Sequence, residues 1–377
     1  MILFLHNRYR TPGGEERVVD DLMWLAAEHL GEDVERLERD STTIGRGRAA
    51  AGLIAGGLEP GEVGAAVART GARIVHAHNL LPGLGWRALA AGRAAGARVV
   101  LHLHNYRLVC AVGTCVDPGG ADCTRCHGRD TLPGVRLGCR GSAAEAVAYG
   151  AALALWQRRT VAQADVIVVP STAARDRLAG LGAPAAVRGA VVLGHVVRRH
   201  AERSSAAAGT GAVVVSRLAP EKGVEVAIDA CRAAGLPLTI CGDGPMRPEL
   251  EARAAGGDVT FTGRIGDEEL ARVRAHARVA LVPSRAAETF GLAALEAMAA
   301  GLPVAASRAG ALAELEGDVE LVAPGDVSGL ADAARRLAAD PGAGARALAA
   351  AGRRAAPEVV APRLAEVYAA AGRGRAG

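Results

Sequence analysis

Short apolar runs alternate with amphipathic stretches along almost the whole chain. In the second half, each apolar run ends at a Gly, Pro or Ser that precedes residues with the apolar spacing of a helix. This alternation predicts an α/β fold with parallel sheets, in which ligands bind beyond the carboxyl ends of the strands. The predicted strands cover residues 2–5, 73–77, 99–103 and 166–169 in the first half, and residues 213–215, 238–240, 259–261, 279–282 and 304–306 in the second.

The length of the chain, 377 residues, predicts two domains, because a single hydrophobic core rarely grows that large. Residues 198–211, RRHAERSSAAAGTG, are polar or small and are typical of a linker. We therefore predict two Rossmann-like, doubly wound domains that face a cleft, formed by residues 1–197 and 212–356. The remaining segment, residues 357–377, begins with a Pro that opens a helix, and we expect this helix to cross back to the N-terminal domain.

Composition indicates a folded protein without a nucleic-acid partner. Hydrophobic residues make up 50% of the chain and charged residues 22%, while the net charge of +4 is too small to favour nucleic acid. The chain has no run of about 18 apolar residues, and its start, MILFLHNRYR, is typical of a buried strand rather than a signal peptide. We expect a cytoplasmic protein whose seven cysteines are thiols or metal ligands. Peripheral membrane contact and oligomeric state stay open.

The first candidate motif is PGGEE, residues 12–16, between the opening strand and a helix. Glycines at such a turn let backbone amides approach a phosphate at the positive end of the helix. Taken alone, the motif favours the simpler interpretation of a tight turn.

The second motif is SRLAPEKG, residues 216–223, which follows a predicted strand. Arg217 offers a fork of donors and Lys222 a point charge, and two such cations on one loop suit a diphosphate leaving group. The alternative is a solvated loop with a surface ion pair between Glu221 and Lys222. The apolar flanks and the Gly that opens a helix favour the diphosphate.

The third motif runs from Glu288 through Phe290, Gly291 and Leu292 to Glu296. Backbone amides at the start of the helix can bind sugar or phosphate oxygens, and the carboxylates can accept hydrogen bonds from sugar hydroxyls. The alternative is an acidic helix start and one exposed Glu. Because Glu296 lies within the apolar run LAALEAMAAG, we expect it to have a polar partner.

These motifs together resemble glycosyltransferase family 4. The resemblance is carried by RLAPEKG, GDGP and PSRAAETFGLAALEAMAAGLPVAAS in the second half, and by NRYRTPGGEERVV, HAHN and LHLHNYRLVC in the first. It covers nearly the whole chain, and the ordered set is far more specific than any one motif. The resemblance implies the two-Rossmann fold called GT-B and a nucleotide diphosphate sugar as donor. It also implies retention of configuration at the sugar without a catalytic metal.

The resemblance also implies roles for individual residues. Arg217 and Lys222 bind the diphosphate and stabilise it as it leaves, Glu288 binds the transferred sugar, Glu296 binds the ribose, and His104 lies near the sugar. Gly13 and Gly14 lie against the phosphates. The remaining donor-binding positions are Gly242, Gly244, Arg264, Ile265, Phe290, Gly291 and Leu292. Residues 193–197, LGHVV, depart from the Pro-Asn, apolar, Asp pattern frequent in the family, which puts the hinge contacts and the acceptor geometry in doubt.

Four cysteines in residues 107–141, a Gly-rich segment, form a separate candidate site. The array Cys110, Cys123, Cys126 and Cys139 contains a Cys-x-x-Cys pair and suits a structural zinc ion bound by four thiolates. The alternatives are reduced cysteines on a loop or an oxidised pair. A similar cysteine-bearing insert follows HNYR in a subset of the family.

The leading interpretation is a nucleotide-sugar transferase. The alternative is a non-catalytic nucleotide-sugar binder that regulates or scaffolds a partner. The presence of both cations and both glutamates favours an active enzyme over this alternative. An epimerase on the same fold has no support, since it usually needs no such pair of cations. The sequence names neither the sugar, nor the base, nor the acceptor, which is a polysaccharide, a lipid-linked sugar or a secondary metabolite.

Overall fold

The computed structural model describes residues 1–10, 13–198, 204 and 206–373. These residues form two compact units. The N-terminal unit contains residues 1–118 and 123–196 and the chain from residue 357 onward, and the C-terminal unit contains residues 119–122 and 197–356. Residues 199–203 and 205 of the expected linker lie outside the described residues.

The N-terminal unit is built on a parallel six-stranded sheet with the order β2-β1-β3-β4-β5-β6. Its strands are β1 (Ile2–Arg8), β2 (Val34–Asp40), β3 (Ile74–Ala77), β4 (Arg98–His102), β5 (Val166–Val169) and β6 (Val191–Val192). Its first seven helices are α1 (Gly14–Leu30), α2 (Arg46–Ala55), α3 (Gly61–Thr70), α4 (Gly85–Ala94), α5 (Leu132–Arg136), α6 (Ala143–Ala162) and α7 (Thr172–Gly180). The central strands are largely apolar and buried, as expected of a parallel sheet that is covered on both faces, but β1, β3 and β4 also bury histidines.

The C-terminal unit repeats this architecture, with a parallel six-stranded sheet in the order β12-β11-β10-β7-β8-β9. Its strands are β7 (Ala212–Val215), β8 (Leu238–Cys241), β9 (Val259–Gly263), β10 (Val279–Val282), β11 (Val304–Ser307) and β12 (Glu320–Val322). Its helices are α8 (Val224–Ala234), α9 (Arg247–Ala254), α10 (Asp267–His276), α11 (Leu292–Ala299), α12 (Val327–Ala339) and α13 (Ala343–Ala355). One hydrophobic cluster lies on each face of this sheet.

The last helix, α14 (Pro357–Arg373), packs on the N-terminal sheet, where it contacts α1, β3, β4 and β5. Its buried side includes Val360, Leu364 and Val367, and the Tyr368 hydroxyl lies 3.0 Å from Nδ1 of His76 on β3. None of the described helices is both long and apolar enough to cross a bilayer.

The structure confirms the predicted α/β class with two doubly wound parallel sheets. Each of the nine predicted strands is present, with ends within three residues of the prediction. The sequence analysis missed β2, β6 and β12. The sequence of β2, VERLERD, is mostly polar because the strand lies at an exposed edge of its sheet, and β6 and β12 are edge strands of two and three residues that are too short for a pattern.

Replacement of Leu364 by Ala tests how strongly α14 stabilises the N-terminal unit. Leu364 is fully buried, so Leu364→Ala should lower the free energy of unfolding by about 3 kcal/mol. The matched control is Glu366→Ala on the exposed side of the same helix, which should change it by less than about 0.5 kcal/mol. Equal denaturant midpoints for the two variants would contradict the packing described here.

Candidate active site

The loops after β7 and β8, two adjacent strands of the C-terminal sheet, lie so close together that two positions between them have no space for a side chain. A Cβ atom on Gly242 would lie 1.8 Å from the carbonyl oxygen of Ser216, and one on Gly244 would lie 2.3 Å from that of Leu218. The amide of Leu218 donates a hydrogen bond to Asp243 O at 3.0 Å. Gly242 and Gly244 therefore support the loop that carries Arg217, because only glycine allows this close approach.

An ion pair joins the loop after β7 to the loop after β10. Lys222 Nζ donates to Glu288 Oε1 at 2.6 Å, and the buried Ser284 hydroxyl donates to the same oxygen at 2.6 Å. Burial alone would raise the pKa of Glu288, but the Lys222 charge and these two hydrogen bonds hold that pKa below its ordinary value. Glu288 is therefore a carboxylate at neutral pH and can accept hydrogen bonds from hydroxyl groups.

Arg217 lies on the same loop and pairs with Glu221 one turn further on. The Arg217 side chain is about half exposed, at 49%, so its guanidinium is accessible from solvent. The surface pair considered from the sequence, Glu221 with Lys222, is not the one that forms. Glu221 pairs with Arg217 and Lys222 pairs with Glu288, because the short helical turn at Pro220–Lys222 directs the two side chains to different partners.

Glu296 is buried inside α11 and has the polar partner that its apolar surroundings require. Arg274 on α10 is 2% exposed and donates from Nη2 to Glu296 Oε2 at 2.7 Å. Removal of one partner from such a pair leaves an uncompensated buried charge, which is strongly destabilising. Glu296 therefore has a structural role in addition to the one expected from the sequence.

The other predicted donor residues lie at the start of α11 and on the loop after β9. Gly291, with φ of 83°, caps the start of α11 between Phe290 and Leu292, which both pack on the hydrophobic cluster behind them. Arg264 is exposed on the loop after β9, and Ile265 beside it is half-buried. The amide of Gly242 donates to Gly263 O at 2.8 Å and so ties this loop to the one after β8.

In the N-terminal unit, Gly13 caps α1 and Gly14 is its first residue, both exposed. The Glu16 carboxylate accepts from the Gly13 amide at 2.8 Å, a capping box that closes the turn. Pro12 of the predicted motif lies outside the described residues. α1 thus begins shortly after the carboxyl end of β1.

His104 lies in a cavity of the N-terminal unit that Glu15, Asn105 and Arg107 also line. Glu15 accepts hydrogen bonds from the Tyr9 hydroxyl at 2.7 Å and from Asn105 Nδ2 at 3.0 Å, and burial raises its pKa. Burial, together with the neighbouring His6, lowers the pKa of His104 to about 3, so its imidazole is neutral near pH 7.

His104 belongs to a larger group of buried histidines that the sequence analysis did not single out. His76, His78 and His102 lie beside it at the carboxyl ends of β3 and β4, and Nδ1 of His78 is 2.7 Å from Nε2 of His104. His195, in the atypical segment LGHVV, is also buried, with its ring 5.4 Å from that of His104. The signal in the sequence was a pair of H-x-H runs, HAH and HLH, on neighbouring strands.

The four cysteines of the predicted zinc array line one small cavity in the segment between β4 and α6. Cys115 lines the same cavity, and its thiol donates a hydrogen bond to the Cys110 sulfur. That bond and neighbouring backbone amides lower the pKa of Cys110 to about 5. The only helix in this segment is α5, of five residues. The cavity walls are Cys110, Ala111, Val112, Cys115, Val116, Cys123, Arg125, Cys126, Pro133, Gly134, Leu137 and Cys139.

Within each unit, the predicted residues lie on loops and helices that follow the carboxyl ends of parallel strands. Arg217, Lys222 and Glu288 are linked by direct contacts and charge interactions in the C-terminal unit. The sequence analysis missed Ser284 and Arg274, which hold the two glutamates. Ser284 follows a Pro at a strand end and could have been noticed there, whereas nothing in the sequence links Arg274 to Glu296.

Comparison with known proteins indicates the family to which the chain is similar. Residues 10–194 match a family model described as glycosyl transferase 4-like domain, and residues 209–340 match one described as glycosyl transferases group 1. A GDP-mannose-dependent α-(1-6)-phosphatidylinositol dimannoside mannosyltransferase of Mycobacterium tuberculosis is 41% identical over 42% of this chain and 44% of its own length. A 2-deoxystreptamine glucosyltransferase of Streptomyces kanamyceticus is 40% identical over 34% of this chain and 36% of its own. The chain thus aligns with less than half of these relatives.

Solved structures share the fold over the whole chain. HepE of Anabaena, solved with UDP and glucose, is 20% identical with a TM-score of 0.63, covering 98% of this chain and 99% of its own. The glycosyltransferase AviGT4 of avilamycin A biosynthesis is 21% identical with a TM-score of 0.65, covering 99% and 98%. Both likenesses identify the fold as GT-B. With a glycosyl transferase model matched in each half, the chain groups with the family-4-like glycosyltransferases.

Proposed function

We propose that the protein is a retaining glycosyltransferase that moves a sugar from a nucleotide diphosphate donor to an acceptor hydroxyl. The observation that carries this proposal is the contact of Lys222 with Glu288, which puts a diphosphate-binding cation beside a carboxylate that can hold sugar hydroxyls. Relatives that act on GDP-mannose, and the HepE structure with UDP and glucose, support a nucleotide sugar as the donor.

In this proposal, the two cations exchange partners when the donor binds. Lys222 and Arg217 are each paired with a carboxylate of the protein, and a diphosphate offers them oxygens with a higher charge. The released Glu288 then accepts hydrogen bonds from the sugar, while Glu296 holds the ribose. Arg217 and Lys222 stabilise the negative charge that develops on the departing diphosphate, a task that positioned cations perform well in a site shielded from water.

We propose that transfer needs no catalytic metal, because these cations and the start of α11 supply the positive potential, and the sequence has no Asp-x-Asp after a strand. Attack on the same face that the diphosphate leaves, assisted by the departing phosphate, accounts for retention. Glu288 orients the sugar in this scheme rather than forming a covalent bond with it. His104, neutral and lining a cavity of the N-terminal unit, contributes a hydrogen-bonding group near the sugar.

The acceptor is proposed only as a class: a polysaccharide, a lipid-linked sugar or a secondary metabolite. Phosphatidylinositol dimannoside and 2-deoxystreptamine in the names of two relatives support the last two classes. None of the seven cysteines, all of which are described, forms a disulfide, which suits a reducing compartment, and we place the protein in the cytoplasm. The alternative, a nucleotide-sugar-binding scaffold, would bind donor without turnover, so a donor hydrolysis assay separates the two functions.

We further propose a structural zinc ion bound by Cys110, Cys123, Cys126 and Cys139. Their position around one cavity supports it, as does the scarcity of regular structure in a Gly-rich segment with few apolar residues. Cys115 is then the residue that donates a hydrogen bond to a liganding sulfur.

The phosphate cations are tested by Arg217→Ala and Lys222→Ala. Charge-assisted hydrogen bonds are worth about 1.5–3 kcal/mol, so each variant should lose at least about tenfold in kcat/KM. Lys222→Ala should also move the acid limb of the kcat/KM profile, which reports the free enzyme, to higher pH, because Lys222 lowers the pKa of Glu288 there. The control is Arg336→Ala on α12, which removes an exposed pair with Glu320 of β12. Transfer at the wild-type rate in both test variants would overturn the assignment.

The two glutamates are tested by Glu288→Gln and Glu296→Gln in single-turnover and binding measurements. Glu288→Gln should lower the rate more than the donor affinity, since contacts with the sugar tighten as charge develops. Glu296→Gln should weaken the donor and the nucleoside diphosphate alike, by about tenfold.

A control is needed because Glu296→Gln also breaks the buried pair with Arg274, which should cost about 3 kcal/mol of stability. The double variant Glu296→Gln/Arg274→Met should recover stability without recovering affinity. If diphosphate affinity stays at the wild-type level in Glu296→Gln and the rate stays unchanged in Glu288→Gln, the pair does not form the donor site.

Metal removal separates the catalytic and structural proposals. Transfer should persist in excess chelator over short times, whereas prolonged chelation should unfold the cysteine segment. Elemental analysis of Cys126→Ser should show one zinc ion fewer per chain than the wild type, and Cys231→Ala, a buried cysteine of the C-terminal unit, should show no loss. Immediate loss of activity that magnesium or manganese restores would contradict metal-independent transfer.

A further inference from the structure

Two H-x-H runs place four histidines on one face of the N-terminal sheet. Side chains alternate along a strand, so His76 and His78 share a face, as do His102 and His104. His76 lies opposite Val100 in the register of β3 and β4, which puts both pairs on the same side. α14 covers this part of the sheet, and the Tyr368 side chain reaches His76.

Three of these imidazoles surround a common point. The ring centroids of His76, His78 and His102 are 4.4 to 5.5 Å apart, and each ring offers one nitrogen within 4.8 Å of the nitrogens of the other two. The three side chains are at most 4% exposed. Such a convergence of strongly polar atoms inside a protein requires a partner, because an unsatisfied buried group costs free energy.

The hydrogen bonds of this triad leave one set of nitrogens without partners. Nδ1 of His76 is bonded to the Tyr368 hydroxyl and Nδ1 of His78 to His104. Within the described part of the chain, Nε2 of His76, Nε2 of His78 and both nitrogens of His102 have no hydrogen-bond partner. His76 and His78 thus resemble metal-binding histidines, which bind the ion through one nitrogen while a partner holds the other and fixes the ring. His102 has no such partner among the described residues.

We propose that His76, His78 and His102 bind a divalent transition-metal ion, with zinc as the ion that best suits them. Imidazole nitrogens are preferred ligands of zinc, at about 2.0–2.1 Å, and three of them leave a fourth position for water. Small rotations of the rings bring nitrogens that are within 4.8 Å of one another to the spacing of a tetrahedral site. The cavity lined by His78, His102 and His104 provides the space next to the ion.

Metal binding at this triad also fixes the protonation of His104. When Nε2 of His78 binds the ion, its Nδ1 must carry the proton and donate it to Nε2 of His104. His104 then carries its own proton on Nδ1 and is held in one tautomer and orientation. The triad acts as a positioning device for His104 and differs in ligands and location from the cysteine site between β4 and α6.

Cobalt substitution tests the proposal on the full chain without any sugar substrate. Co²⁺ bound by nitrogen ligands absorbs in the visible range, whereas Co²⁺ bound by thiolates adds a charge-transfer band in the near ultraviolet. We expect His102→Gln to bind one Co²⁺ ion fewer per chain than the wild type and to lose the visible absorption of the nitrogen site. The same variant should keep the charge-transfer band of the thiolate site. Cys126→Ser should show the converse, and His29→Gln, an exposed histidine of α1, should match the wild type.

A second variant keeps the test valid if His102→Gln folds poorly. Tyr368→Phe retains all three ligands and removes only the hydroxyl that holds His76, so it should weaken the nitrogen site about tenfold or more in competition with a chromophoric chelator. The proposal is overturned if the wild type shows no nitrogen-bound Co²⁺, or if His102→Gln retains the wild-type stoichiometry and spectrum. Neither result depends on glycosyl transfer, which the donor-site variants test separately.

Discussion

The ion pair between Lys222 and Glu288 is the interaction on which the candidate donor site depends. It connects the loop after β7 to the loop after β10, and without it the partly buried Glu288 carboxylate would keep only the weaker charge interaction with Arg217. Glu288 therefore keeps its charged form in the absence of ligand. A site prepared in this way can bind an anion and a set of hydroxyls with little rearrangement, because its cation and its acceptor are already in position.

Two other charged pairs of the C-terminal unit follow the same rule, that each charge has a partner of opposite sign. Arg217 pairs with Glu221 near the surface, and Arg274 pairs with Glu296 in the interior. The exposed pair costs little to open, since exposed ion pairs contribute little to stability, whereas the buried pair is part of the core. The pair near the surface can therefore open for a ligand more easily than the pair in the interior.

The repeating apolar pattern made the fold predictable, and the linear order of motifs made the donor loops predictable. Both signals are local in the chain. The missed features depend on contacts between distant segments or on strands at an edge. Arg274 is 22 residues from Glu296, and β2 is polar because one side of it meets solvent. The histidine triad was missed for another reason: each H-x-H run is unremarkable alone, and only the register of β3 and β4 joins the two.

The position of α14 has a consequence for how the chain folds during synthesis. Residues 197–356, which form nearly all of the C-terminal unit, are translated before α14, yet α14 covers part of the N-terminal sheet. A nascent chain therefore exposes the apolar surface under Leu364, and His76 without Tyr368, until the ribosome has passed the whole C-terminal unit. Synthesis of the N-terminal unit therefore begins first and ends last. The apolar surface that α14 later covers stays exposed for longest during synthesis, so we expect a chaperone that binds nascent chains to bind this face of the sheet.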